Sequence, residues 1–115
     1  MAICAAAEEL VETAETFGAP ALRAAAAFAN GATAMVGGDP ADAARHLTDA
    51  RNLCLEAELP YEAASSRELL AEAQLSSGRI DSGHLELQAA HASFQRLGAR
   101  LDVERVERRL RALSE

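Results

Sequence analysis

Phe17-Gly18-Ala19-Pro20 returns as Ala57-Glu58-Leu59-Pro60 and, more faintly, as Leu97-Gly98-Ala99-Arg100, a repeat of forty residues. The register holds between these anchors. Gly31 falls on Ala71, Gly38 on Gly78, Ala43 on Gly83, Leu47 on Leu87 and Ala50 on Ala90. Self-similarity at a fixed period of this order marks stacked supersecondary units, each packing on its neighbours, rather than one globular wrap.

The composition says which units. Half of the residues are hydrophobic, alanine supplies much of that share, and Phe17, Phe28, Tyr61 and Phe94 are the only aromatic side chains. A core of small residues suits close helix–helix contact and offers little to strands, which favour branched and aromatic side chains. The prediction is a single all-α domain over 1–115. It divides into a half repeat (1–17), two helix-pair repeats (18–57 and 58–97) and a C-terminal capping helix (98–115).

Taken in order, a helix over 2–17 places Ile3, Ala7, Leu10, Ala14 and Phe17 at three- and four-residue steps, one buried face, with Glu8, Glu9, Glu12 and Glu15 opposite. Gly18 stops it, because glycine enters the left-handed conformation without steric cost. Pro20 opens a helix over 20–36, where a missing N–H is harmless. Gly31 inside that helix costs about 1 kcal/mol against alanine, which implies close approach of a neighbouring helix backbone. Asp39-Pro40-Ala41-Asp42 is a start signal for a helix over 40–57 that buries Ala43, Ala44, Leu47, Ala50, Leu53 and Cys54. A helix over 60–76 follows through Tyr61, Ala64, Leu69, Leu70, Ala73 and Leu75. Asp81 caps another over 81–97, with Leu85, Leu87, Ala90, Phe94 and Leu97 inward. The last helix, 101–113, carries a seam of Val103, Val106, Leu110 and Leu113 under a charged outer face.

Small residues where helices meet, glycine in the inter-helix turn, and leucine at the bulky position of the second helix together resemble a tetratricopeptide-like repeat, a short right-handed solenoid of about six helices. Glu58-Leu59-Pro60-Tyr61-Glu62-Ala63-Ala64, Ser77-Gly78-Arg79 and the run from Phe94 to Asp102 resemble, more specifically, the helical-repeat region of actinobacterial MalT-like or LuxR-type transcriptional regulators. Similar repeats also follow some adenylate cyclase-like proteins. The resemblance implies a cytoplasmic module for protein–protein interaction or effector sensing. Neither a phosphate-binding loop nor a helix-turn-helix stands within these residues, so NTPase and DNA-binding activity are not carried over. Against that frame, the helix over 2–17 reads as the second half of a repeat whose first helix is missing.

A formal charge of −7 disfavours a duplex-binding face, which needs cations to neutralise phosphates. The cluster Arg105, Arg108, Arg109 and Arg111, interleaved with Glu104 and Glu107, reads as a solvated helix face. No run is apolar enough to span a bilayer, and the opening stretch lacks the basic start of a signal peptide, so the expected location is the cytoplasm. His84 and His91 stand seven residues apart, about 10–11 Å along a helix axis, too far for one metal ion. Cys4 and Cys54 read as small buried hydrophobes. No Ser–His–Asp set and no enclosed carboxylate pair can be argued, so no catalytic residue, metal or cofactor is expected.

What remains is surface for a protein or peptide partner. In stacks of this kind the first helix of each repeat lines the concave side. That register puts Ala25, Phe28, Ala32 and Met35 beside Ser65, Glu68, Glu72 and Leu75, an apolar strip with an acidic margin suited to an amphipathic helix or basic peptide; the competing reading has Phe28 and Met35 packing under the first helix or in the core, since so short a solenoid has few other places to bury them. The alternative is a homodimer, in which Ile3, Ala7 and Leu10, with the seam of Val103, Val106 and Leu110, meet a second copy.

Overall fold

The computed structural model describes residues 19–115, and every described element is helical. Helices α1 (Pro20–Val36), α2 (Pro40–Glu56), α3 (Pro60–Ser76), α4 (Ile80–Leu97) and α5 (Arg100–Ser114) follow one another through turns of two or three residues. Each packs on the next, so consecutive helices run antiparallel as helix pairs. The helix expected over 2–17, with Ile3, Ala7 and Leu10 of the dimerisation reading, lies outside the described residues.

The forty-residue period resolves into two steps of twenty. Helices begin at 20, 40, 60, 80 and 100, and residues 38, 58, 78 and 98 all adopt positive φ. At each turn the chain closes the same way. The amides of Asp39, Leu59, Arg79 and Ala99 donate to the carbonyls of Ala34, Cys54, Gln74 and Phe94 at 2.8–3.0 Å, satisfying a carbonyl that the helix leaves open. Three of the four left-handed residues are glycine; the fourth is Glu58. This repeated closure also fixes where α4 starts. Asp81 was the expected cap, but residue 79 occupies the N-cap place, as 39, 59 and 99 do, and Arg79 makes no side-chain cap. Asp39 does act as a cap, accepting from the Asp42 amide at 3.1 Å.

The core is a chain of small clusters rather than one mass. Ala43, Ala44, Leu47, Leu70 and Ala73 join α2 to α3, with Phe28 and Met35 of α1 packed on them. Ala64, Ala71, Leu87, Ala90, Phe94 and Val106 join α3, α4 and α5. Gly31 and Gly83 make this packing possible: a Cβ on Gly31 would lie 2.5 Å from Leu47 Cγ, and one on Gly83 2.7 Å from Leu75 Cγ. The neighbour that requires Gly31 is therefore a leucine side chain, not the helix backbone expected from sequence.

Two inward assignments change. Leu85 and Leu97 of α4 are 66% and 42% exposed, and Tyr61 of α3 is 44% exposed. Leu85 is two residues from Leu87, a rotation of about 200° along a helix, so both cannot face the core.

Candidate functional site

Helices α1, α3 and α5 are equivalent in the repeat, and their shared face has two unlike halves. Between α3 and α5 it is closed by ion pairs. Arg105 grips Glu68 through Nε and Nη2, both at 2.8 Å, and Arg109 grips Glu72 at 2.8 and 2.9 Å. Each helix contributes partners four residues apart, one helical turn, so two bidentate pairs stack along the contact. Arg105 also bonds Asp102, which accepts from the Tyr61 hydroxyl at 3.0 Å. The Tyr61 ring meets Phe94 edge to face at 5.5 Å. These bonds hold the Arg105 guanidinium well above its ordinary pKa, through Glu68 first and Asp102 second, and raise that of Arg109 through Glu72. Asp102 raises the Tyr61 phenol likewise, since a phenolate would lose the bond and face a carboxylate.

Among the described residues, the same face is open and apolar between α1 and α3. A cleft of about 410 Å³ is bordered by Ala24, Ala25 and Phe28 of α1, Cys54 and Leu59 beneath, and Tyr61 and Ser66 of α3. Alanines create it: the exposed Ala25 and buried Ala24 leave room that larger side chains would fill.

The residues expected to form one strip are thus divided. Ala25, Phe28 and Ser65 border the cleft, and Ala32 is half-buried on α1. Met35 packs on the cluster of α2 and α3, and Leu75 on that of α3, α4 and α5, because both turn toward the paired helix. Glu68 and Glu72, the expected acidic margin, hold the chain's own arginines. Val103, Val106 and Leu110 pack on the cluster of Leu87 and Phe94; Val106 is completely buried, and Val103 and Leu110 are partly buried. Arg105 and Arg109, expected as a solvated face, are half of the ladder.

Elsewhere the charges serve packing. Glu86 bridges Arg51 and Arg67, tying α4 to α2 and α3. His91 Nε2 lies 3.0 Å from Glu107, and His46 Nε2 3.5 Å from Asp42. Among the described residues no three His, Cys, Asp or Glu side chains gather as a metal site, and no helix is long and apolar enough to cross a membrane. Cys54 is buried as expected; burial pushes its thiol pKa up, and the Ser66 hydroxyl opposes this only in part. No family model, curated protein or solved structure matches the chain.

Proposed function

We propose that this chain is a non-catalytic binding module, a tetratricopeptide-like solenoid segment that belongs to or derives from a bacterial, cytoplasmic transcriptional regulator of the MalT-like or LuxR type. It works by presenting the face of α1, α3 and α5 to a protein partner or an effector. The observation that supports this is the open apolar cleft beside Phe28, on a face whose other half is locked by its own ion pairs. Among the described residues the half between α1 and α3 is open, and its apolar lining suits an apolar anchor. The link to regulators rests on the resemblance of the turn and helix-start motifs. Self-association is the weaker reading, since Val106 is buried.

Two experiments test the proposal. Peptides selected by display against the full chain should lose binding to Ala25→Glu, which fills the cleft from an exposed position and should leave the melting temperature unchanged. Selected peptides that bind the variant equally well refute the site. An immunoblot of the encoding organism should show a species far larger than 12.1 kDa; a band at that mass alone refutes membership of a larger regulator.

A further inference from the structure

A second groove runs along the other side of α1. Among the described residues, Arg23, Ala26 and Asn30 of α1 and His46 and Asp49 of α2 border a space of about 420 Å³. Forty residues on, the same positions carry a helix. Ala63 clusters with Cys54 of α2, Ser66 reaches the Cys54 thiol, and Leu70 packs with Ala43, Ala44 and Leu47. Glu86, forty after His46, takes Arg51 of α2. The groove on α1 and α2 is thus the seat that α2 holds on α3 and α4, moved back by one repeat.

Ala26 points to what covers this seat. It lies two residues from Ala24 and from Phe28, which pack toward α2 and α3, and two residues are a rotation of about 200° along a helix. Ala26 therefore faces away from both helices. It belongs to none of the clusters that join the described helices, yet it is 2% exposed. The chain outside the described residues, 1–18, joins α1 at its N-cap, Ala19, about one turn before Arg23. Its sequence carries the matching face. Stepped back by forty, the buried positions of α2, Ala43, Ala44, Leu47, Ala50 and Cys54, become Ile3, Cys4, Ala7, Leu10 and Ala14, every one apolar. The exposed Asp49, Asn52 and Leu55 become Glu9, Glu12 and Glu15, and Gly18 falls on the left-handed turn position of 38, 58, 78 and 98. We propose that residues 3–14 dock as a helix in the groove between α1 and α2, antiparallel to α1, with Ala14 on Ala26. The face of Ile3, Ala7 and Leu10 is then used within the chain and not by a second copy. This stands independently of the cleft between α1 and α3.

The test is a disulfide in the full chain. Cys54 and Ser66 are within side-chain reach, so Ala14 and Ala26, one repeat earlier, should bridge when both are cysteine. With Cys4→Ala and Cys54→Ala as background and oxidised glutathione as oxidant, Ala14→Cys with Ala26→Cys should close within one chain. It should do so about 10-fold faster than Ala14→Cys with Ala25→Cys, whose Cβ atoms point apart. A second readout keeps Cys54 as a reporter of folding. The Ala26→Cys thiol should react slowly with a soluble thiol reagent, and Leu10→Asp should speed it about 10-fold or more at every protein concentration while the buried Cys54 stays protected. If Leu10→Asp unprotects Cys54 as well, the bridge decides. A bridge between two chains, or protection that grows with protein concentration, would put a second copy in the groove and overturn the proposal. Equal bridging of both pairs, no bridge, or an Ala26→Cys thiol indifferent to Leu10→Asp would overturn it too.

Discussion

Replacing Gly31 with alanine sets two effects of opposite sign against each other. Helix propensity alone favours the change by about 1 kcal/mol, since Gly31 sits inside α1. The packing opposes it. The new Cβ would meet Leu47 at 2.5 Å from Cγ and 2.7 Å from Cδ2, well inside van der Waals contact. Leu47 is completely buried among Ala43, Ala44, Leu70 and Ala73, and Cγ is a branch point rather than a free end, so it cannot step aside without moving its neighbours. Overpacking of this kind costs about 1–3 kcal/mol. The net expectation is a destabilisation of about 1 kcal/mol, or roughly 4 °C in melting temperature for a domain of this size. Leu47→Ala alone should cost about 2–5 kcal/mol by leaving a cavity. In the double variant the new methyl enters that cavity, so the combined loss should fall short of the sum by about 1 kcal/mol or more. Urea unfolding followed by far-UV circular dichroism measures all four corners of the cycle. If Gly31→Ala raises stability and the two changes add, the close contact does not limit the packing and the reasoning fails.

Glu58 occupies the left-handed turn position that glycine fills at 38, 78 and 98. Glu58→Gly should therefore be neutral to stabilising by about 1 kcal/mol, while Gly78→Ala, with no atom near its Cβ, should lose about 1 kcal/mol from backbone strain alone; equal effects of either sign would refute the turn geometry. Tyr61 is the sole tyrosine and there is no tryptophan, so ultraviolet absorbance reports its ionisation directly. The midpoint should lie above the ordinary 10.0 and fall back toward it in Asp102→Asn. Because the folded pKa is the higher one, the associated stability is present in full below pH 10 and disappears as pH rises through the raised value. A wild-type midpoint at or below 10 would remove the Tyr61–Asp102 bond. For the ladder, a Glu72–Arg109 double-mutant cycle should give a coupling of about 0.5–1 kcal/mol that shrinks in concentrated salt, because both side chains are partly solvated. A larger, salt-insensitive value would mean that the pair is sequestered from water.

Most of the helical frame was legible because it is written locally. Proline at the starts of α1, α2 and α3 and glycine at three of the four turns depend on the backbone of a few adjacent residues, so Pro20, Pro40, Gly38 and Gly78 could be placed without knowing the rest. Asp81 was misread for the same reason: a good capping residue was present, but the turn closure common to all four connections set the cap two residues earlier, at Arg79. Leu85 was assigned inward on hydrophobicity where helical phase, fixed by Leu87 and Phe94, puts it outside; Leu97 is in phase with Ala90 and Phe94 but is the last residue of α4, where it is 42% exposed. The divided face was not legible, since the Glu68–Arg105 and Glu72–Arg109 pairs join residues 37 apart. The signal existed as matching four-residue spacings of opposite charge on helices one repeat apart. The cleft left no signal in the sequence beyond an excess of alanine, because it arises from what two helices fail to fill.

The two interior glycines do not stand at the same place in the repeat. In the first pair the gap is on α1, where Gly31 admits Leu47; in the second it is on α4, where Gly83 admits Leu75. The repeats are consequently not interchangeable. Were α3 to take the seat of α1 against α2, it would bring Ala71 to the place of Gly31, with a methyl that Leu47 leaves no room for. Were α4 to pair with α1, Gly31 would meet Leu87 and Gly83 would meet Met35, so each hollow would again have a side chain to fill it. In a chain whose twenty-residue steps look so alike, this offset acts as a parity mark. It makes the exchange of α3 for α1 against α2 costly, and so distinguishes the first helix pair from the second.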